Sequence, residues 1–116
     1  MWWFSRTVII EMKVYLDDVR IAPDGWVRTW WPAEVIALLK TGEVTEISLD
    51  HDLGDHFGRP DGIDKERTGY DVLLWNERAV VLEGFDPPII HIHTANPVAD
   101  ARMRITVEQI YKRANK

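Results

Sequence analysis

The chain contains no cysteine. That excludes a disulfide framework, a thiolate zinc site and a cysteine nucleophile, and it fits a reducing compartment, with the cytoplasm as the expected location. No apolar run approaches the ~20 residues of a membrane span. The opening MWWFSRTVIIE is too short and too poorly organised for a secretory signal. There is no excess of positive charge: 14 Lys plus Arg stand against 19 Asp plus Glu, a net charge of −5. A duplex-DNA clamp, which needs a basic face, is therefore not expected. A small anion held by a metal or a few arginines remains compatible with this balance. No internal repeat and no low-complexity tract interrupts the 116 residues, a length that suits one domain with a real core.

What is present is a regular alternation. Lys13–Leu16 reads as a buried strand that ends in Asp17-Asp18. Val19–Gly25 carries Pro23 and the turn pair Asp24-Gly25 and reads as loop. Trp26–Trp30 suits a second, short strand. Pro32 suits the first position of a helix whose apolar face is Val35, Ile36, Leu38 and Leu39 and which Gly42 ends. Val44–Leu49 is a third strand, running into Asp50-His51-Asp52. Residues 53–68 form a long polar stretch with Gly54, Gly58, Pro60 and Gly62. A helix from about Gly69 to Leu82 follows, with Val72, Trp75, Ala79 and Leu82 at helical spacing. Ile89–His93 is a fourth strand leading into Thr94-Ala95-Asn96-Pro97, and a last helix covers about Val98–Arg113 with Met103, Val107 and Ile110 inward. Residues 1–11 stand apart: they either extend the first strand towards Thr7 or form a leader foreign to a domain spanning 12–116.

Strands alternating with helices imply an α/β domain, a mostly parallel sheet of about four strands with helices on its faces. In such sheets ligands bind beyond the carboxyl ends of the strands. Three polar clusters sit there: Asp17-Asp18, Asp50-His51-Asp52 and His93-Thr94-Ala95-Asn96. Gathered carboxylates repel one another and raise each other's pKa, and a hard cation relieves that cost. Mg²⁺ or Mn²⁺ is the expected cofactor, with Asp17, Asp18 and Asp50 as ligands. One such Asp alone would more often cap a turn. His93 has the pKa for proton transfer, although a satisfied structural histidine is as ordinary a reading. Thr94 and Asn96 can hydrogen-bond phosphate oxygens, and Asn96 equally suits a plain helix cap. Arg20 is the first candidate cation for phosphate and Arg102 the second. Asp52 shares a strand side with Asp50, whereas His51 points away and reads as structural. Asp50-His51-Asp52 also resembles the Asp-x-Asp of haloacid-dehalogenase-type phosphatases, but that fold needs a larger chain. Trp26 is a core residue by default and a base-stacking candidate by position.

The ordered set of motifs resembles the cyclic-phosphate-processing receiver-like domains of phages and bacteria. It comprises Leu16-Asp17-Asp18-Val19-Arg20, Pro23, Gly25-Trp26, Ser48-Leu49-Asp50-His51-Asp52-Leu53-Gly54, Thr68-Gly69-Tyr70-Asp71 with Trp75, and His93-Thr94-Ala95-Asn96-Pro97 with Met103. One departure is Ala99, where the pattern has glycine. The resemblance implies a reduced, flavodoxin-like three-layer receiver domain. It keeps the acidic pair, a central Asp50 and Thr94, lacks the receiver lysine, and has the Val19–Gly25 loop in place of the first helix. It further implies a metal-dependent phosphoesterase for a cyclic phosphate of a nucleotide or RNA end, with Asp50 and His93 catalytic. The alternatives are a module that sequesters a cyclic nucleotide and a degenerate receiver phosphorylated on Asp50.

Overall fold

Four short runs dominated by Val, Ile, Leu and aromatic residues form strands, and three longer amphipathic runs form helices. The computed structural model describes residues 11–51 and 68–115. In chain order the elements are β1 (Met12–Leu16), β2 (Trp26–Thr29), α1 (Pro32–Leu39), β3 (Val44–Leu49), α2 (Gly69–Glu83), β4 (Ile89–Ile92) and α3 (Pro97–Ala114). This is the expected order, with boundaries moved by a residue or two. The expectations for residues 1–10 and for the stretch 52–67, including Asp52, lie outside the described residues.

All strand pairs are parallel, in the order β2-β1-β3-β4. That order has a consequence for the layers. The β2-to-β3 and β3-to-β4 connections advance in the same direction along the sheet, so right-handed crossovers place α1 and α2 on one face. Only the β1-to-β2 connection runs the opposite way, and there the chain makes a loop instead of a helix. The buried residues of the helices accordingly join one cluster. Val14, Leu16, Ile47, Leu49 and Ile90 from one sheet face meet Val35 and Leu39 of α1, Val72, Leu73 and Val80 of α2, and Ala99, Met103 and Ile110 of α3. The receiver-like α/β reading therefore stands, with one correction: among the described residues the helices form a single layer, and no helix covers the second sheet face. That face carries Lys13, Tyr15, Trp26, Arg28, Glu46, Ser48 and His91, as the strand alternation requires.

The inward face of α2 is also shifted from expectation. Leu82 is 69% exposed, and Leu73, Asn76 and Val80 are buried beside Val72 and Ala79. Asn76 resembles a polar break in the periodicity, but its Nδ2 donates to the Val72 carbonyl 2.8 Å away, so its amide is held within the helix. No described helix is long and apolar enough to cross a membrane.

Helix α2 starts where it does for local reasons. Thr68 Oγ1 accepts the Tyr70 N–H at 3.2 Å, and the Asp71 carboxylate accepts the Thr68 N–H at 3.0 Å. Gly69 lies against the end of β3: a Cβ there would overlap the Asp50 carbonyl oxygen and come 3.2 Å from Met103 Cε. Thus Thr68-Gly69-Tyr70-Asp71 is a device for seating a helix directly on the backbone of Asp50.

Candidate functional site

The parallel ladder runs one residue beyond the strands at their carboxyl ends. Asp17 N–H donates to Thr29 O (3.2 Å), Asp50 N–H to Leu16 O (3.1 Å) and His93 N–H to Leu49 O (3.0 Å). These last rungs fix the backbones of Asp17, Asp50 and His93 side by side. Strand alternation turns all three to the face that lacks helices.

Asp17 is almost wholly buried. Its Oδ1 accepts the N–H groups of Val19 (2.8 Å) and Arg20 (2.9 Å), which folds the chain sharply after β1. Its Oδ2 lies 3.0 Å from His93 Nε2. The His93 ring leans across β3, with Nδ1 2.7 Å from Ser48 Oγ. It stacks on Tyr15 with 4.4 Å between centroids and 2° between planes. Asp50 Oδ1 accepts the His51 N–H at 2.8 Å, and the Thr94 hydroxyl donates to the Asp50 carboxylate.

Burial acts to raise the Asp17 pKa, but the N–H groups of Arg20 and Val19, with His93, bring it below the ordinary carboxylate value. Asp50 is raised, first by burial and then by the charge of Asp17. His93 is lowered: burial outweighs the opposing pull of Asp17 and Asp50, and Arg20 adds to the lowering. The imidazole is therefore neutral at pH 7. A carboxylate only accepts hydrogen bonds, so the single ring proton sits on Nε2, facing Asp17, and Ser48 donates to Nδ1.

One ligand atom from each of Asp17, Asp50 and His93 lies within 4.8 Å of the others. With both ring nitrogens of His93 engaged, the two carboxylates are the groups that would hold a hard cation such as Mg²⁺ or Mn²⁺, and the raised Asp50 marks charge that such a cation would relieve. Asp18 is not in this group: Asp17 is buried towards His93, and Asp18 beside it is half-buried.

The remaining expected residues divide. Arg20 reaches the site: Nη1 donates to the His93 carbonyl at 2.7 Å and Nε lies 3.9 Å from Asp17 Oδ2, with the side chain half exposed. Thr94 reaches it through Asp50 and also accepts the Asn96 N–H at 3.2 Å. Asn96 commits its Oδ1 to capping α3, accepting the Ala99 N–H at 3.1 Å. Only its amide NH₂ is left for a ligand. Ala99 fits this turn without strain, being buried in the helix interior, and no non-glycine residue described has a positive φ. His51 contributes its backbone N–H to Asp50. Arg102 places its guanidinium 4.9 Å from the Tyr70 ring centroid, at the α2–α3 contact. Trp26 packs edge-on against Tyr15 and His91, at the far end of β2 from the carboxyl edge.

Three residues at the site receive no role from the sequence: Ser48, which stands in the motif without one, Tyr15, and Arg28, whose Nε donates to the Asp17 carbonyl at 2.9 Å. A signal existed for the first two. Tyr15 and Ser48 lie two residues before Asp17 and Asp50, so the period-2 alternation puts each beneath its aspartate. His91 is bonded to Glu46 at 2.6 Å, in keeping with a structural role.

Comparison with protein-family models matches residues 12–109 to the cyclic-phosphate processing receiver domain. No curated protein and no solved structure matches the chain.

Proposed function

The chain belongs to the cyclic-phosphate processing receiver domain family, and from that premise we propose that it binds the cyclic phosphate of a nucleotide or RNA end at this edge and hydrolyses it with Mg²⁺ or Mn²⁺. The observation that carries the reading is the approach of Asp17, Asp50 and His93 to within 4.8 Å on the last rung of the sheet. Asp17 and Asp50 would hold the metal, which supplies Lewis acidity at the phosphate and lowers the pKa of a bound water. Arg20 would meet phosphate oxygens with the exposed part of its guanidinium, and Thr94 would orient Asp50.

Ring opening adds water across a P–O bond. The water loses a proton, phosphorus gains its oxygen, and the departing ribose oxygen takes up a proton. His93 is assigned that proton traffic. The Ser48 hydroxyl can donate to Nδ1 or accept from it, so the ring can hold its proton on either nitrogen without losing this bond. With the proton on Nδ1, Nε2 offers a lone pair to the site. Tyr15 keeps the ring plane fixed in both states.

A second reading, sequestration without cleavage, is favoured by one observation: both ring nitrogens of His93 are engaged. Turnover separates the two. The protein is incubated with Mn²⁺ or Mg²⁺ and with 2′,3′-cyclic, 3′,5′-cyclic and cyclic-dinucleotide substrates, beside Asp50→Ala and His93→Ala. Metal-dependent opening of one ring, lost in both variants, is the expected result. Tight binding of a panel member without turnover would establish the sequestering module. Neither binding nor turnover would refute the assignment.

A further inference from the structure

One more residue stands at this edge. The β1–β2 register pairs Leu16 with Thr29, and Trp30 follows β2 directly, in sequence register with Asp17, its ring over Arg28 on the sheet face that lacks helices. Trp30 is 47% exposed. A single exposed aromatic says little, but this one is braced from two sides. Its N–H donates to Glu34 Oε1 at 2.8 Å, which pins its backbone to the first turn of α1. The Arg28 guanidinium lies 3.9 Å from the ring centroid and covers one face of the ring. Arg28 is itself tied to the Asp17 carbonyl at 2.9 Å. The ring is thus coupled, through one arginine, to the backbone of the candidate metal ligand.

Such bracing removes the ordering cost that a mobile surface tryptophan would bring to a ligand contact. A flat π-face already backed by a cation is a good stacking partner for another ring. Adjacent strands are about 4.8 Å apart. The other face of Trp30 is thus one strand from Asp17 and two from Asp50, a span comparable to the reach of one nucleotide from phosphate to base.

We propose that Trp30, rather than Trp26, is the base-stacking residue of this site. The ligand is then a nucleotide or nucleotide end whose base lies on the face of Trp30 opposite Arg28 while its cyclic phosphate meets Asp17, Asp50 and His93. This inference rests on the cyclic-phosphate reading and adds the base as a recognised element. Trp26 is unsuited because it lies at the amino end of β2, away from the carboxyl edge, and is held in T-shaped contacts with Tyr15 and His91.

The test compares the full chain with Trp30→Ala and Trp30→Phe by calorimetry in Mn²⁺. The probes are 2′,3′-cyclic AMP, 3′,5′-cyclic AMP and glycerol 1,2-cyclic phosphate, which has the ring but no base. Trp30→Ala is expected to weaken the preferred cyclic AMP by about tenfold to a hundredfold, the affinity equivalent of one base–aromatic stack. Trp30→Phe is expected to restore most of the loss, and neither variant is expected to change affinity for the glycerol compound. Nucleotide affinity within twofold of wild type in Trp30→Ala would overturn the proposal, as would an equal loss for all three probes, which would mark a scaffold role. In either case binding of the base-free ring by wild type leaves the cyclic-phosphate reading intact. Wild type that binds none of the three overturns both.

Discussion

Gly69→Ala isolates the link between fold and site. Glycine to alanine at an unstrained helical position ordinarily stabilises, by about 0.5–1 kcal/mol. Gly69 carries no positive φ, so conformational preference gives no reason for glycine there. Sterics does: the added methyl overlaps the Asp50 carbonyl oxygen, lies 3.0 Å from its carbon and 3.2 Å from Met103 Cε. Met103 is the flexible end of a side chain and can yield. The Asp50 carbonyl is backbone, and the same residue's N–H is bound to Leu16 O. Either α2 or the end of β3 must move, by on the order of 1 Å, and the expected sign reverses to a loss of about 1–3 kcal/mol. A displacement of that size at a reacting group also costs on the order of a hundredfold in rate. The control is Gly84→Ala. Gly84 has φ +67° and open space within 4 Å of the position a methyl would take, so the substitution costs about 1–2 kcal/mol of left-handed strain and leaves the site alone. Urea unfolding gives the stabilities, and native-state hydrogen exchange at the Asp50 and His93 amides reports the site. Gly69→Ala should accelerate exchange at both amides beyond what its global loss explains, and Gly84→Ala should not. A Gly69→Ala protein as stable as wild type, with unchanged exchange at Asp50, would refute the steric argument.

Ser48→Ala leaves the part-buried Nδ1 of His93 without its partner and should cost about 1–2 kcal/mol in urea unfolding. The nitrogen-15 shifts of His93 should also move towards a mixture of tautomers. Asp50→Asn removes a carboxylate whose pKa is raised by burial and by Asp17, so the metal-free variant should melt higher than wild type at pH 7. Wild type should recover the difference when Mn²⁺ is added, by about 2.7 kcal/mol at a hundred times its dissociation constant, and the variant should not. His93 is depressed below its ordinary 6.5, so its contribution to stability is present above that pH and is lost as pH falls through its lower folded pKa. Asp50, raised above 3.8, contributes oppositely: its share is present below that value and is lost as pH rises through its folded pKa. The two oppose each other as pH goes from 7 towards 5, so the readout is the difference between proteins: the urea midpoint of wild type should fall relative to that of His93→Gln over this range. Tyr111→Phe removes the hydroxyl that accepts the Ile90 N–H at 2.7 Å and donates to Pro88 O at 3.1 Å. It should cost about 1–3 kcal/mol by the same denaturation assay, without altering His93 shifts.

The order of elements was legible in the chain because each carries its own local signal. Pro32 and Pro97 open α1 and α3, Gly42 and Gly84 adopt positive φ beyond α1 and α2, and short apolar runs between turn residues make strands. The carboxyl-edge position of Asp17, Asp50 and His93 was legible too, since the two aspartates directly follow, and His93 ends, a predicted strand of a parallel sheet. Local sequence does not state which of two neighbouring acids turns inward. Asp17 is selected over Asp18 by the turn that its Oδ1 forms with Val19 and Arg20 and by the imidazole that arrives from β4, a contact between residues 76 positions apart. The same holds for the tryptophans. Their spacing placed Trp26 and Trp30 on one strand face, but only the packing of Tyr15 and His91 around one, and of Arg28 and Glu34 around the other, distinguishes a half-buried ring from a braced, open one. The single helical layer is likewise a tertiary outcome. Crossover handedness and the β2-β1-β3-β4 order send α1 and α2 to the same side, and the loop after β1 leaves the opposite face to the aromatic and polar residues that support the site.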